Sequence, residues 1–142
     1  LLFKAAFYFV AVSLAWVAVL RFVPVPFTAT MAGDLFAGRG VSKDWTPLSA
    51  IDRDMARAAI AGEDARFCLH NGCDLRAIAG AAVSNARGRR LRGGSTISQQ
   101  TAKNVFLWQG GGYVRKAFEA WFTVLIELVW GKRRIMEVYL NV

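Results

Sequence analysis

The segment "RGGSTISQQTAKN", residues 92–104, combines glycine, hydroxyl, amide and lysine side chains within one short run. Gly93 and Gly94 allow the backbone to come close to a ligand. Ser95 or Thr96 can cap a helix that begins here and can still present a hydroxyl group. The segment therefore predicts a loop that leads into a helix whose first turn lies beside a ligand.

The helix predicted after this loop has one polar face. Thr96, Gln100 and Lys103 recur at positions i, i+4 and i+7 and therefore share that face. Gln99 and Asn104 lie at its sides. The N-terminus of a helix attracts anions, and Lys103 adds a cation further along. This face suits a ligand with sugar hydroxyl groups and phosphate, although an ordinary solvent-exposed polar face would look similar.

The positive charge of the chain is concentrated around this segment. The 142 residues are enough for one domain with a core, and they carry a net charge of +8. Residues 87–134 hold ten Arg and Lys residues against two acids, so the remainder of the chain is balanced. This local excess predicts a surface that faces nucleic acid, a phosphate-bearing substrate or an acidic membrane.

The first part of the chain is apolar enough to enter a membrane. Residues 5–20 contain no charge, and Lys4 and Arg21 bracket them. Sixteen helical residues rise roughly 24 Å, a little less than a hydrocarbon core of about 30 Å. We therefore predict a transmembrane anchor helix over residues 1–25 and a linker over residues 26–46, with a cleaved signal peptide as the alternative to the anchor.

The remainder, residues 47–142, is predicted to form one mainly α domain. Thr46 is expected to cap a helix that has Pro47 at its first position, and Asp74 to cap the next helix, "LRAIAGAAVSNAR". A long apolar helix is predicted for "YVRKAFEAWFTVLIELVW", residues 113–130. The sequence shows neither an internal repeat nor a convincing alternating strand pattern.

Three carboxylates are candidates for chemistry. Glu63 follows a predicted helix, whereas Glu119 and Glu127 lie in apolar surroundings. Sugar-transfer reactions typically use two carboxylates, one of which exchanges protons. The alternatives are a simple i, i+4 ion pair of Glu119 with Arg115 and an ordinary surface acid at Glu63.

The two cysteines, Cys68 and Cys73, do not indicate a special site. They are too few for a disulfide framework, and their spacing matches no zinc motif. We expect small packing residues of the kind that is commonly buried. A bridge between them remains open if the domain faces an oxidising compartment.

Four ordered blocks within residues 44–142 resemble the peptidoglycan glycosyltransferases, glycosyltransferase family 51, and among them the membrane-anchored monofunctional biosynthetic transglycosylases of bacteria. "GEDARFCLHNGCD" resembles the family's EDxxFxxHxG block, and "RGGSTISQQTAKN" resembles GxSTITQQxxKN with Ser98 in place of the usual Thr. "RKAFE" and "KRRIMEVYLN" resemble the RKxxE and KxxILExYLN blocks. Four blocks in order are far more specific than any one of them.

The resemblance implies a lysozyme-like, mainly helical domain, of which Val142 precedes the C-terminal half. It implies an inverting enzyme that polymerises lipid II into β-1,4 glycan strands at the outer face of the bacterial cytoplasmic membrane. Undecaprenyl diphosphate would be released. The implied partners are lipid II, the growing glycan chain, the membrane and cell-wall synthase or division proteins, but not nucleic acid.

The resemblance also assigns roles to individual residues. Glu63 matches the catalytic base, and Glu119 matches a second catalytic acid near the diphosphate that would bind a divalent metal, Mg or Mn; no organic cofactor is implied. The implied substrate-binding residues are Thr96, Gln100, Lys103, Asn104 and Arg115. Those expected to hold Glu63 in place are Asp64, Phe67 and His70.

One departure from the family pattern concerns the cations of the donor site. Relatives often carry an Arg in the loop before RKxxE, where this chain has Gly111 within Gly110–Gly112. One donor-site cation is therefore absent or is supplied by the Arg87–Arg92 cluster.

Three other classes of protein compete with this interpretation. A lysozyme-like or lytic transglycosylase would share the fold and the glutamate. A basic, membrane-tethered nucleic-acid-binding module would use the Arg87–Arg92 cluster, but this cluster lacks the interleaved aromatic residues on which single strands stack. A pure anchor or scaffold would leave the polar helix face unexplained.

Overall fold

The computed structural model describes residues 2–74 and 94–142. The helices, in chain order, are α1 Leu2–Leu20, α2 Ala29–Phe36, α3 Arg53–Glu63, a short 3-10 turn Phe67–Leu69, α4 Ile97–Phe106, α5 Gly112–Val129 and α6 Gly131–Tyr139. These described residues contain no strand, which confirms the mainly α prediction. The helix predicted after Asp74 and the Arg87–Arg92 cluster lie outside them.

Helix α1 occupies most of the predicted anchor. By length and composition it is the one helix in the described part of the chain that could cross a membrane. From Phe9 onwards it packs along α5, since the Phe9 ring lies 5.6 Å from that of Phe118 and Trp130 Nε1 donates to the Val17 carbonyl at 2.7 Å. These contacts show that α1 and α5 run in the same direction.

The C-terminal end of α1 is fastened to the junction of α5 and α6. Arg21 donates to the carbonyl of Val129. Arg134, in α6, donates to the carbonyl of Leu20 at 2.8 Å and to that of Val23 at 2.6 Å. The apolar helix is therefore held by the domain at this end.

The segment predicted as a linker contains α2. Thr28 caps it with extended backbone, and its hydroxyl accepts from the Met31 amide at 3.2 Å. The first turn of α2 meets the loop after α4, where Gln109 donates to Thr30 at 3.0 Å. Gly33, a poor helix former in the middle of the segment, obscured this helix in the sequence.

The prediction that a helix begins at Thr46 and Pro47 is wrong. Residues 48–50 form a turn instead, and α3 begins at Arg53, where the Asp52 side chain accepts from the amide of Asp54 at 2.8 Å.

The reason for this difference lies at the other end of the chain. The Thr46 amide donates to Asn141 Oδ1 at 2.8 Å, and Asn141 Nδ2 donates back to the Thr46 carbonyl at 2.9 Å. The Leu48 amide donates to Glu137 at 2.9 Å. Because Glu137 in α6 and Asn141 just after it bind these backbone groups, the segment does not close a helical turn of its own.

Helix α4 is the centre of the domain. Ile97, Ser98 and Ala102 are fully buried. The Phe106 ring stacks on that of Phe122 in α5, with 4.4 Å between centroids, and Ser98 is hydrogen-bonded to Glu127 near the end of α5. Helices α4 and α5 are therefore antiparallel, and each end of α4 meets a different part of α5.

Candidate active site

Glu63 and Gln100, predicted from two separate blocks, meet in the structure. Glu63 is the last residue of α3 and its side chain is exposed. Its Oε2 accepts a hydrogen bond of 2.9 Å from Gln100 Nε2, in the first half of α4. The contact orients the carboxylate without neutralising it, because the donor is an uncharged amide.

The residue after Glu63 ties the end of α3 to the start of α4. Asp64 is buried, and its carboxylate contacts His70 Nε2 at 2.8 and 2.9 Å. The amide of Ile97, the first residue of α4, donates to Asp64 Oδ2 at 3.1 Å. Asp64 thereby binds one of the free amides of a helix N-terminus and holds the Glu63 turn against it.

Thr96 caps α4 as expected, but its hydroxyl group is used by the fold. It accepts from the Gln99 amide at 3.2 Å, and Gln99 Oε1 accepts from the Thr96 amide at 3.0 Å, which completes a capping box. The hydroxyl donates to the carbonyl of Gly72 at 2.6 Å, and Thr96 is buried. The substrate contact predicted for Thr96 stays a prediction, and the observed contacts are structural.

Lys103 and Asn104 lie in the second half of α4 and are half-buried. Lys103 follows Gln100 by one helical turn and shares its face. Within residues 2–74 and 94–142, neither side chain has a hydrogen-bond or ion-pair partner. Both are therefore available to a ligand that lies along α4 from Glu63.

Glu119 is neutralised on both oxygens. It is 3% exposed, Arg115 Nη1 donates to its Oε2 at 2.7 Å, and Lys116 donates to its Oε1. The i, i+4 pair with Arg115 is thus present, together with a second cation. Arg115 Nε has no acceptor within the described residues, so this guanidinium retains an unused donor. The direct catalytic role of Glu119 stays a prediction.

Glu63 and Glu119 lie at opposite ends of α4. From Gln100 to Phe106 the helix rises about 9 Å, and Glu119 precedes Phe122, the partner of Phe106, by about 4.5 Å along the antiparallel α5. The two glutamates are therefore separated by roughly 13 Å along the axis. A ligand that spans both groups must be longer than one sugar ring.

The described residues do not fit the divalent metal predicted at Glu119. In the two described ranges, no three His, Cys, Asp or Glu side chains gather in a group that could hold a metal ion. Both oxygens of Glu119 already contact cations, so a metal would have to displace Arg115 or Lys116.

A family model described as "Transglycosylase" matches residues 30–142. The chain belongs to the transglycosylase family. Similar proteins named biosynthetic peptidoglycan transglycosylase include one from Caulobacter vibrioides, 57% identical over 85% of this chain and 53% of its own length. Others come from Pseudomonas syringae pv. syringae, 50% identical over 97% of this chain and 61% of its own length, and Pseudomonas aeruginosa, 49% identical over 99% and 63%. The chain spans between half and two thirds of the length of these relatives.

The loop before α5 in this transglycosylase chain needs glycine at position 111, where the family pattern led us to expect an arginine. Gly111 has φ +94°, in the left-handed region. A Cβ atom there would come within 2.6 Å of Trp108 Nε1 and 3.0 Å of Arg115 Cβ. An arginine at position 111 would therefore require a different loop before α5.

Tyr139 is a neighbour of Glu63 that the sequence analysis did not single out. It ends α6 and is half-buried. Burial raises the pKa of Tyr139, and the negative charge of Glu63 raises it further. Tyr139 belongs to the KxxILExYLN block of the transglycosylase resemblance, which was the one signal that could have identified it.

The cysteines are free and exposed, which corrects the expectation that they are buried. Both lie in the surface segment around the 3-10 turn. Cys73 Sγ accepts from Gln99 Nε2 at 3.1 Å.

Proposed function

We propose that this protein is a peptidoglycan glycosyltransferase that polymerises lipid II into β-1,4 glycan strands and releases undecaprenyl diphosphate. The observation that carries the proposal is the hydrogen bond between Glu63 and Gln100. It sets an exposed carboxylate against the polar face of α4, which continues to Lys103, a cation without an ion-pair partner among residues 2–74 and 94–142.

Glu63 acts as the general base. Its carboxylate accepts the proton of the 4-hydroxyl group of the acceptor's N-acetylglucosamine. The oxygen attacks the anomeric carbon of the growing chain from the face opposite the diphosphate. The bond from that carbon to the diphosphate oxygen breaks, and the configuration changes from α to β. The hydrogen bond from Gln100 orients the carboxylate towards this hydroxyl group.

Lys103 and Arg115 bind the diphosphate. Negative charge grows on the leaving oxygen as the bond breaks, and fixed cations lower the energy of that transition state. Glu119 accepts from Arg115 and Lys116 and thereby orients both cations. Asn104 contributes its side-chain amide at the same end of α4. A divalent metal would supply further charge stabilisation there, but it would have to displace Arg115 or Lys116 from Glu119.

The protein is proposed to be a single-pass protein of the bacterial cytoplasmic membrane, with the catalytic domain on its outer face. Helix α1, long and apolar enough to cross a membrane, supports the anchor. Its end is bonded to α6 through Arg134, so the site would keep a fixed orientation relative to the bilayer. Cell-wall synthase or division proteins are the proposed partners.

Lys103, which has no counter-ion in the part of the chain that the structure describes, favours this reaction over a lysozyme-like hydrolysis, since a neutral glycan offers no anion to the cation. Release of soluble fragments from purified cell-wall sacculi would support the hydrolase instead. DNA binding with a steep salt dependence and no lipid II binding would support the nucleic-acid-binding module.

The test is polymerisation of labelled lipid II by the full-length protein and its Glu63→Gln variant. The variant should be at least about a hundredfold slower, because it lacks the proton acceptor. Asp54→Asn is the matched control, since this acid is exposed at the start of the same helix. Wild-type rates in Glu63→Gln would remove Glu63 from the role of base.

A further inference from the structure

Glu127 joins three helices, although the proposed reaction does not use it. It lies near the end of α5, with its side chain 8% exposed. Its Oε1 accepts from the hydroxyl of Ser98 in α4 and from Lys132 Nζ in α6, the latter at 2.6 Å. We call Ser98, Glu127 and Lys132 the Glu127 cluster. Because these donors occupy it, Glu127 is a structural acid here and not a proton carrier.

Lys132 extends the Glu127 cluster to the segment that follows Glu63. Its ammonium lies 4.6 Å from the centre of the Phe67 ring, and Phe67 is 2% exposed. A cation over an aromatic face is attracted to the ring's negative face, more strongly away from water. Lys132 thus has two partners and is committed to the protein, unlike Lys103.

Gly72 closes the same segment against α5. A Cβ atom at Gly72 would lie 2.7 Å from Thr123 Cγ2 and 3.3 Å from Glu127 Cγ, so the backbone touches α5 directly. The Gly72 carbonyl also accepts from the Thr96 hydroxyl at the start of α4. Residues 67–72 are therefore held between the Glu127 cluster and the N-terminus of α4.

We propose that Lys132 is a positioning residue for Glu63, acting together with Glu127. Lys132, in α6, contacts Phe67, which lies shortly after Glu63 in the chain. Glu127 accepts a hydrogen bond from Ser98, which lies shortly before Gln100 in α4. The ion pair between Lys132 and Glu127 therefore fixes both sides of the Glu63–Gln100 contact. Loss of this hold lets the carboxylate move relative to α4, and a displacement near 1 Å can cost about a hundredfold in rate. The inference rests on the proposed role of Glu63 as base.

A pair of variants separates positioning from stability. Lys132→Met leaves the Glu127 charge buried without a cation, which is destabilising in itself. Adding Glu127→Gln removes that charge and keeps an acceptor for Ser98, but it does not replace the cation over Phe67. If Lys132 positions Glu63, the double variant regains stability and remains slow.

The experiment measures kcat, KM for lipid II and the unfolding temperature of the full-length protein and these variants. We expect the double variant to have nearly the wild-type unfolding temperature, a KM within about threefold and a kcat about ten- to a hundredfold lower. The single variant Lys132→Arg keeps a cation at this position and should retain most of the wild-type kcat. Arg133→Met is the matched control, because Arg133 is exposed and adjacent and has the same charge.

Wild-type kcat in the double variant would overturn the inference, as would a loss confined to KM. Either result leaves the proposed function standing, since the wild-type protein still polymerises lipid II. A wild-type protein that makes no polymer would instead overturn the proposed function and the positioning role with it.

Discussion

A glutamate from a neighbouring helix lies beside each end of α4, and the two side chains are in opposite environments. Within the described residues, exposed Glu63 receives a single side-chain hydrogen bond, from the neutral amide of Gln100. Glu119 is 3% exposed and is paired with Arg115 and Lys116. An accessible, uncompensated carboxylate can exchange a proton with a ligand, whereas a buried and neutralised one cannot do so without breaking its ion pairs. The different environments of the two glutamates therefore suit them to different roles.

The same comparison applies to the cations. Lys103 has no counter-ion in the described part of the chain, whereas Lys116 and Lys132 are each bound to a buried acid. A lysine without a partner retains its full charge for a phosphate, because no ion pair must be broken first. These lysines contribute equally to the net charge, but their ion pairs within the described residues differ.

The largest expected effect tests whether Glu119 is structural. Glu119→Gln should lower the free energy of unfolding by about 3–5 kcal/mol, because it leaves Arg115 and Lys116 without their buried counter-charge. Glu63→Gln should change it by less than about 0.5 kcal/mol, since its side chain is exposed. Chemical unfolding in detergent micelles measures both. Equal stability of the two variants would remove the distinction between the two ends of α4.

The second effect concerns the loop that supports Arg115. Gly111→Ala should cost about 2 kcal/mol, since it adds a clash with Trp108 to a left-handed backbone conformation. Gly110→Ala, at φ +81° with nothing within 4 Å, should cost only about 1 kcal/mol for the backbone alone. Unfolding curves of both variants give the difference.

Gly111→Ala also sharpens the functional comparison. It disturbs the Arg115 end of α4 and leaves the Glu63–Gln100 contact in place. Binding of the diphosphate-linked donor should therefore weaken, whereas the pH dependence of the reaction should change little. Identical stability of the two alanine variants would show that the Trp108 contact does not constrain this loop.

Features that depend on neighbours in sequence were predictable. The start of α4 is set by Thr96 and Gln99, three residues apart, so the sequence contains both halves of the capping box. The pair of Arg115 and Glu119 follows from i, i+4 spacing in the same way. The depth of burial of Glu119 does not, because it depends on how α5 packs against the rest of the domain.

Features that depend on distant partners were missed. Thr46 and Pro47 carry a good local signal for a helix start, but Asn141 binds the Thr46 backbone from 95 positions away. The closeness of Tyr139 to Glu63 likewise requires α3 and α6 to meet. Spacing within one block cannot report a contact between two blocks.

The smallest effect is electrostatic and lies at the Glu63 end. The pKa of Tyr139 is raised in the folded protein, first by burial and then by the charge of Glu63. The unfolded chain therefore loses this proton at lower pH than the folded chain does. The contribution of Tyr139 to the free energy of unfolding is fully present below about pH 10 and is lost as the pH rises towards the folded-state pKa.

Tyr139→Phe removes this titration, so its free energy of unfolding should fall less steeply above pH 10 than that of the wild type. Glu63→Gln should flatten the wild-type slope only in part, because burial is the larger cause. Glu119→Gln should leave the slope unchanged, since Arg115 and Lys116 already compensate that charge. An equal effect of both glutamine variants would mean that Tyr139 does not distinguish the free carboxylate from the paired one.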